Sequence, residues 1–330
     1  MADLRTTVTE LATGLGMLGY PSVAEALAAR PPEMASVSPE LWDQLAGAHA
    51  GGAFDADFAA AFDNGRAFLF ARQGLRGRRP IVVEWKGSHR DLGDERPPVD
   101  LRVDHVYLVS CKYESDVLAN ASPARVFDRL LRIEHGGRST NWFAEVAPDE
   151  HQALYDAVRT PDVPERVELL TPAQQSELSR ALRKWPTGVA ADAYAALVAA
   201  VAERSAQRWR DALAAAPAQQ RILLWRLLRI GSAPYFVLGT RGAAGLRLRV
   251  ATPWDWSQRY DLRRLDVSAQ AGGQPRVGWV AVVRDRHSGA DVEVRGHVEV
   301  RWGHRRFSAP EGKVYLDTPH ADVPGYVPLT

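Results

Sequence analysis

The stretch PIVVEWKGSHR, residues 80–90, is a short apolar run that ends in charged side chains. A second run, DHVYLVSCKY at residues 104–113, also ends close to a lysine. Both runs are rich in β-branched and aromatic residues, so we predict that each forms a strand. Apolar residues occupy both faces of each run, which is typical of strands buried in the centre of a sheet.

The lysines of these runs stand out because the chain strongly prefers arginine. Of its 41 lysine and arginine residues only four are lysines, and two of these, Lys86 and Lys112, end the predicted strands. The compact ammonium of lysine can lie beside a metal ion or lose its proton, whereas a guanidinium stays charged and is wide. We therefore interpret Lys86 and Lys112 as candidates for chemistry, with chance survival of a few lysines as the alternative.

The composition is that of a globular protein with no bulk preference for an anionic partner. The chain has 330 residues, a hydrophobic fraction of 46% and a net charge of +1, so only local charge can account for binding of nucleic acid. No apolar run reaches the roughly 18–20 residues that cross a bilayer, and the first residues do not resemble a secretory signal. A single cysteine, Cys111, excludes an internal disulfide. We predict a cytoplasmic protein with no membrane partner.

Helical and alternating patterns divide the chain into four regions. We expect N-terminal helices over residues 1–50, an α/β core over 51–150, a helical region over 165–232 and a β-rich domain over 233–330. Residues 88–103 are polar and contain paired prolines, a composition that predicts a loop. The predicted fold class is α/β (α+β), with a mixed sheet in the core.

Side-chain alternation along the first strand points to a candidate site. Glu84 and Lys86 share one face, and an acid and a lysine at the end of a buried strand are costly to place without partners. If the two runs pair antiparallel through the loop, Glu84, Lys86 and Asp104 converge. A divalent metal ion or a structural network of ion pairs would each satisfy such a group.

This pattern resembles the PD-(D/E)XK nuclease superfamily over about residues 55–145. The hallmark of that superfamily is an acid on one strand and an acid-x-Lys unit on a neighbouring strand, after a helix that often carries another acid. The stretch Glu84-Trp85-Lys86 matches the acid-x-Lys unit. Ser110-Cys111-Lys112 matches the variant in which a small polar residue replaces the acid.

In this comparison Asp104 corresponds to the strand acid and Asp63 to the helix acid, although the acid-x-Lys unit precedes Asp104 and so reverses the usual order. The resemblance implies a restriction-endonuclease-like core that hydrolyses DNA phosphodiester bonds as an endonuclease, in restriction or phage defence. Asp63, Glu84 and Asp104 would hold Mg²⁺ or Mn²⁺. Glu84, Asp104 and one of the two lysines, Lys86 or Lys112, would be catalytic. The alternative is a non-catalytic nucleic-acid-binding or scaffold subunit of a complex.

Clusters of arginine predict contacts with the phosphates of a nucleic acid, most simply DNA. They lie just before the first strand, on a helix predicted over residues 122–137, and in the stretch WGHRRF at 302–307. The candidates are Arg76, Arg78, Arg79, Arg125, Arg129, Arg305 and Arg306. Solvated surface charge is the alternative for each cluster. A protein partner and a homo-oligomer both remain open.

A second set of acids and a lysine lies near the C-terminal end of the sequence. Glu299 and the unit Glu311-Gly312-Lys313 have a spacing similar to that of the same superfamily. Lys313 begins its predicted strand instead of ending an apolar run. We therefore rank Glu299, Glu311 and Lys313 second, as an alternative to the site at Glu84.

Overall fold

The computed structural model describes residues 4–87, 99–131, 141–181, 187–242, 244–270, 272–303 and 305–330. Three parts of the sequence-based predictions lie outside the described residues. They are most of the predicted loop, at 88–98, the end of the predicted helix, at 132–137, and His304 of the arginine-rich stretch.

Helices come first in the chain and again in its middle. In chain order the α-helices are α1 Leu4–Gly16, α2 Val23–Ala29, α3 Pro39–Ala50, α4 Asp55–Phe70, α5 Pro123–Phe127, α6 Trp142–Val146, α7 Pro148–Asp156, α8 Pro172–Ala181, α9 Val189–Ala215, α10 Gln219–Leu227 and α11 Pro253–Arg259. Short 3₁₀ helices occupy Arg129–Leu131, Val167–Leu169 and His320–Asp322. None of the helices in the described ranges combines the length and the apolar character needed to cross a membrane.

Strands lie in the first part of the chain and dominate its last hundred residues. They are β1 Met34–Ala35, β2 Val83–Trp85, β3 Leu101–Val103, β4 Tyr107–Tyr113, β5 Val117–Ala121, β6 Tyr235–Arg241, β7 Ala244–Val250, β8 Tyr260–Gln270, β9 Arg276–Asp285, β10 Asp291–Trp302, β11 Pro310–Leu316 and β12 Tyr326–Pro328. The two strands predicted around Glu84 and Lys112 are thus present as β2 and β4.

The described strands form one mixed sheet and one antiparallel sheet. The mixed sheet has the order β1-β2-β3-β4-β6-β7-β12, in which β1 is parallel to β2 and β4 is parallel to β6, while the other neighbours are antiparallel. The second sheet has the order β5-β11-β10-β9-β8. With helices packed on the mixed sheet, the predicted α/β class is confirmed.

The chain divides into two compact units, each assembled from distant segments. The first unit comprises Met1–Asp116, Arg229–Tyr260 and Pro319–Thr330, and it contains the mixed sheet. The second comprises Val117–Leu228 and Asp261–Thr318, and it contains the antiparallel sheet.

The core of the first unit lies between the mixed sheet and the helices α1 and α4. Leu11 and Leu15 of α1 and Phe62 of α4 pack in one cluster with Val83 and Val109 of the sheet, all at most 4% exposed. The two helices approach closely because each places a glycine at the contact, which leaves no side chain between their backbones. This packing fixes α1 over β2, β3 and β4.

The core of the second unit is aromatic. Trp209 of α9 is fully buried beside Phe127, and the ring of Phe127 stacks on that of Trp142 with 5.4 Å between centroids. On the antiparallel sheet, Trp279 and Val298 are buried as well. Alternation then leaves the odd-numbered residues of β10 on the opposite face, where charged side chains predominate.

The structure corrects the expected pairing of residues 80–86 with residues 104–112. Residues 101–103, predicted as part of a loop, form β3, which pairs antiparallel with β2 on one side and with β4 on the other. The apolar residues of this strand, Leu101 and Val103, are completely buried and alternate with Arg102. Because β3 separates β2 from β4, the ends of those two strands do not meet as the sequence-based pairing required.

Candidate active site

Polar side chains lie on the face of the mixed sheet that α1 and α4 do not cover. Leu101 and Val109 pack into the core beneath these helices. Side chains alternate along a strand, so Ser110 and Lys112 of β4 project from the opposite face. Asp100, which directly precedes β3, is hydrogen-bonded to Ser110 and so lies at this face as well.

Asp100 is held firmly through one of its two carboxylate oxygens. Its Oδ2 accepts hydrogen bonds from the Ser110 hydroxyl at 3.2 Å and from the backbone N–H of Cys111 at 2.5 Å. Its own backbone continues the sheet, since its carbonyl accepts from the N–H of Lys86 at 3.0 Å and its N–H donates to Val109 at 2.9 Å. Within the part of the chain that the structure describes, Oδ1 has no hydrogen-bond partner. A preoriented carboxylate with one available oxygen is a suitable cation ligand.

Lys112 lies on β4 two residues beyond the Ser110 that holds Asp100. At about 3.3 Å per residue the two backbone positions are roughly 7 Å apart, which is within the reach of the four-carbon lysine side chain. Among the described residues, no carboxylate forms an ion pair with Lys112. The ammonium lies near buried His320, and burial together with the charges of Lys112 and Arg241 lowers the pKa of that imidazole to about 4.

Helix α1 contributes a second carboxylate at this end of the sheet. Oε2 of Glu10 accepts a hydrogen bond from the indole N–H of Trp85, the last residue of β2, at 2.6 Å. Desolvation raises the pKa of the Cys111 thiol, and the charges of Asp100 and Glu10 raise it further. The two carboxylates therefore lie on either side of the same stretch of β4, and both are close to Cys111.

Glu84, a predicted catalytic and metal-binding residue, is instead bound by an arginine of the next strand. Its register partner Arg102 donates to both carboxylate oxygens, to Oε2 through Nε and to Oε1 through Nη2 at 2.8 Å. His105 lies 3.4 Å from Oε2. The hydrogen bond from Arg102 lowers the pKa of Glu84, and the nearby charge of Lys86 acts in the same direction. Both oxygens are thus engaged by the protein itself.

Asp104, the second predicted acid, lies at the opposite end of β3 from Asp100. It occupies the turn into β4 with a φ of 50°, and it accepts hydrogen bonds from Arg78 at 2.5 Å and from the backbone N–H groups of Ile81 and Val82 at 2.7 and 3.2 Å. Burial opposes these contacts, but together they lower the pKa of Asp104. This carboxylate anchors the chain that leads into β2.

The predicted metal-binding set is not assembled in the structure. Asp63 is exposed on α4, while Glu84 and Asp104 are each engaged by arginine. Across the described ranges, no three histidine, cysteine, aspartate or glutamate side chains are grouped so that they could hold a metal ion. The carboxylate that shares a sheet face with Lys112 is instead that of Asp100.

The predicted nucleic-acid-binding arginines of the first unit differ in what holds them. Arg78 pairs with Asp104, and Arg79 pairs with Glu33 at 2.9 Å. Arg76 is exposed, and its Nε donates only to the backbone carbonyl of Arg72 at 2.7 Å. Of these three arginines, Arg76 therefore has the guanidinium that is most available to a phosphate.

The other predicted arginines belong to the second unit. Arg129 and Arg305 are exposed, whereas Arg125 and Arg306 are half-buried. Burial lowers the pKa of Arg306, an effect opposed by nearby Tyr194. No shared surface is assigned to these arginines and those of the first unit.

The second-ranked set, Glu299, Glu311 and Lys313, does lie on one face of the antiparallel sheet. Glu299 is opposite Lys313 in the register of β10 and β11, and Glu311 is opposite Arg301. However, Glu299 is only 6% exposed and accepts two hydrogen bonds from Arg276, at 2.8 and 3.1 Å. This carboxylate is neutralised within the sheet, as expected of a structural ion pair.

Asp100 and Glu10 were missed in the sequence because the patterns around them are weak. Asp100 follows Pro97 and Pro98, and only the alternation of the next three residues indicates a strand. Glu10 is one acid in an otherwise apolar and threonine-rich helix. The useful signal is that Asp100 precedes Ser110-Cys111-Lys112 by ten positions, in the usual order of acid followed by x-Lys.

Asp100, Ser110 and Lys112 thus form a small polar centre at the start of β3 and on β4, and Glu10 lies on the opposite face of the sheet. No protein-family model, no curated protein and no solved structure matches this chain.

Proposed function

We propose that the protein is a metal-dependent nuclease that hydrolyses phosphodiester bonds of DNA. Asp100 and Lys112 are its catalytic residues in this proposal. The observation that carries the proposal is the arrangement on two neighbouring antiparallel strands. Asp100 is fixed by Ser110 and the Cys111 backbone with its Oδ1 left available, and Lys112 follows on the same strand with no described carboxylate partner.

This arrangement removes the reversal of order that the first assignment carried. With Asp100 as the strand acid, the acid comes before the x-Lys unit in the chain, and Glu10 lies on a preceding helix. Ser110 occupies the position of the replaced acid, as in the Ser-Cys-Lys match noted in the sequence. The order of the acid and the x-Lys unit and the position of Ser110 agree with the PD-(D/E)XK pattern and support the proposal, in which Glu84 and Asp104 have structural roles.

The donor set fits a hard divalent cation. Mg²⁺ binds through one or two carboxylates and retains several of its waters, and the available Oδ1 of Asp100 provides one such ligand. Bound there, Mg²⁺ or Mn²⁺ would supply charge neutralisation at the phosphate and acidify a water molecule.

The residues of the chain would orient the reaction around that centre. Ser110 and the Cys111 N–H hold the Asp100 carboxylate in one position, so no reorganisation is needed when a cation or substrate arrives. The Lys112 ammonium would stabilise the negative charge that develops on the phosphate. Because its pKa is lowered to about 4, the nearby imidazole of His320 is neutral at pH 7 and adds no second positive charge beside Lys112.

Cleavage assays on purified variants test this assignment. Supercoiled plasmid, linear duplex and single-stranded DNA would each be incubated with Mg²⁺ or Mn²⁺ and the parent protein, Asp100→Asn, Lys112→Met or Glu10→Gln. We expect Asp100→Asn and Lys112→Met to lose roughly 10²-fold or more of the rate, the usual contribution of a positioned catalytic group. Thermal unfolding would show that each variant is folded.

Lys86→Met and Lys313→Met are the matched controls, since each removes one of the few other lysines. We expect both to cleave at close to the parent rate. If Asp100→Asn and Lys112→Met cleave like the parent, the assignment is wrong. Loss of activity in Lys313→Met alone would move the site to the antiparallel sheet.

A second candidate function is a non-catalytic nucleic-acid-binding subunit, which Ser110 favours because it stands where the superfamily pattern has an acid. Calorimetric titration with Mn²⁺ separates the two candidates. Binding that disappears in Asp100→Asn supports the nuclease. DNA retention with no Mn²⁺ binding in the parent protein supports the subunit.

A further inference from the structure

The segment that follows α4 folds back as a closely hydrogen-bonded turn. The N–H groups of Leu75 and Gly77 donate to the carbonyls of Phe68 and Leu69 at 3.1 and 2.7 Å. The N–H of Arg72 donates to the carbonyl of Thr330 at 2.6 Å, which ties the turn to the last described residue. The side chains carried by this turn therefore project from a defined backbone.

An open cavity of about 390 Å³ lies against this turn, bordered by Phe70, Arg72, Arg76 and Gly77. Phe70, the last residue of α4, is 65% exposed. Gly77 has a φ of +80°, and a Cβ there would lie 3.9 Å from the Phe70 ring. A side chain at position 77 would be strained and would stand beside the ring, so glycine keeps this part of the cavity open.

The two arginines of the cavity are available, unlike their neighbours in the chain. Arg78 and Arg79 form ion pairs with Asp104 and Glu33. Within the described residues, neither Arg72 nor Arg76 has a carboxylate partner, and both are exposed. The bond from Arg76 Nε to the Arg72 carbonyl holds the Arg76 side chain over the turn and leaves its terminal nitrogens to solvent.

We propose that this cavity binds one nucleotide unit, with the phosphate on Arg72 and Arg76 and the base stacked on Phe70. Guanidinium groups form strong, charge-assisted hydrogen bonds to phosphate oxygens. An exposed aromatic ring can stack on any nucleic-acid base, because every base has a flat π face. Phosphate charge and base stacking require a positive pair and a ring side by side, and the turn presents both.

This site is separate from the proposed catalytic centre. The turn leads into the start of β2, whereas Asp100 hydrogen-bonds at Lys86, just beyond the end of β2. Nucleotide binding at this turn is therefore a further property beyond the proposed function, and it does not depend on hydrolysis at Asp100 and Lys112. The nucleotide unit is either free or part of a strand, and the two sources share the same chemistry.

Equilibrium binding to the full-length protein tests the proposal with four probes: pyrophosphate, ADP, a dinucleotide and a single-stranded oligonucleotide of twelve residues, all without divalent metal. We expect ADP to bind at least about tenfold more tightly than pyrophosphate, because stacking adds to the phosphate contacts. Arg72→Gln and Arg76→Gln should each weaken both ligands roughly tenfold or more. Phe70→Leu should weaken ADP about tenfold and leave pyrophosphate unchanged.

Two variants control for general effects of charge and exposed surface. Arg159→Gln removes one surface charge that already pairs with Asp156, and Leu169→Ala truncates an apolar side chain that is 63% exposed. Both should bind all probes like the parent protein. Equal binding of ADP and pyrophosphate, no effect of Phe70→Leu, or no loss in the two arginine variants would each overturn the proposal. Tighter binding of the oligonucleotide than of ADP identifies a strand as the source, and equal binding identifies a free nucleotide.

Discussion

The carboxylates of Glu84, on β2, and of Asp100, directly before β3, differ in their hydrogen-bond partners. Arg102 donates hydrogen bonds to both carboxylate oxygens of Glu84. The side chains of Glu84 and Arg102 are only 18% and 20% exposed, respectively. Among the described residues, the contacts that hold the Asp100 carboxylate are all made through Oδ2. A paired, part-buried carboxylate contributes to stability, whereas a fixed carboxylate with an available oxygen serves a ligand.

Glu84→Gln should therefore destabilise the protein and leave catalysis intact. Arg102 would lose the charge-assisted hydrogen bonds to Glu84 in a part-buried position, and we expect the free energy of unfolding to fall by about 1–3 kcal/mol. Urea unfolding measures this effect. The control is Glu168→Gln on the exposed Arg166–Glu168 pair, which should change stability by less than about 0.5 kcal/mol. A Glu84→Gln variant that is stable but inactive would return Glu84 to the catalytic site.

The buried side chain of His151 should make the folded protein less stable in acid. It is 1% exposed, neither ring nitrogen has a hydrogen-bond partner among the described residues, and the rings of Phe143 and Phe307 lie 5.8 Å away. Burial lowers the pKa of this imidazole from 6.5 to about 4. The unfolded chain thus takes up a proton at a higher pH than the folded chain. The stability is complete above pH 6.5 and falls as the pH drops toward 4.

At pH 5 the expected cost from His151 is about 2 kcal/mol relative to pH 7.5. Urea unfolding at the two pH values should show a smaller difference for His151→Leu than for the parent protein. Replacement of the exposed His287 by glutamine should not change the difference. An equal loss of stability in the parent protein and in His151→Leu would contradict the assignment.

At the scale of elements, the contact of α1 with α4 determines where Glu10 lies. A Cβ built on Gly65 would lie 2.0 Å from the Thr13 carbonyl, and one on Gly16 would lie 2.1 Å from the Phe62 carbonyl. Backbone atoms cannot yield as a flexible side chain would. The helices therefore cross at a distance that only glycine allows, and this distance places α1 against the sheet.

Gly65→Ala should push the two helices apart. We expect a loss of about 1–3 kcal/mol or more in the free energy of unfolding. Gly47→Ala is the matched control, since a Cβ at this exposed helical position meets nothing within 4 Å. It should stabilise the protein by roughly 0.5–1 kcal/mol. Equal behaviour of the two variants would show that the close crossing is not required.

Elements with a strong local pattern were predictable, and those that depend on distant partners were not. The apolar, β-branched runs that contain β2 and β4 predict strands by composition alone. Strand β3 has three residues, one of them Arg102, and it is stable because β2 and β4 pair with it on both sides. The parallel pairing of β4 with β6 joins residues more than 120 positions apart, and no local pattern contains that information.

The candidate site was predictable to the same extent. Lys112 and the Ser-Cys-Lys match were found from lysine usage and alternation, both of which are local. The acid that accompanies them depends on which strand lies beside β4. With β3 predicted as a loop, Glu84 and Asp104 were the nearest acids on strands, although arginine engages both. Neither of these arginine–carboxylate ion pairs can be recognised without knowing how the strands pair in the sheet.

At the scale of the whole molecule, both units are discontinuous along the chain, and the last segment completes the first unit. Strand β12 pairs with β7, and the carbonyl of Pro324 accepts a hydrogen bond from the buried indole of Trp256 at 3.1 Å. Val323 and Tyr326 are buried in the same segment. This segment thus contributes strand pairing and core packing to a unit whose other strands begin at Met34.

Removal of residues 319–330 should therefore unfold the first unit selectively. We expect hydrogen exchange to become fast throughout β2, β3, β4, β6 and β7, while β9 and β10 of the second unit stay protected. Val327→Ala, at a position that is 47% exposed in the same strand, is the control and should leave exchange unchanged. Retained protection in β4 and β6 after truncation would show that the segment is dispensable.

The same interleaving of segments has a consequence for synthesis on the ribosome. Residues 4–116 are translated well before β6, which flanks β4 on its other side, and before β7 and β12, which complete the sheet; these strands come from residues 235–250 and 326–328. At about 5–20 residues per second, the roughly 120 residues between β4 and β6 take about 6–24 s to translate. Throughout that interval one edge of β4 stays unpaired, so the nascent chain is a natural client for a ribosome-associated chaperone.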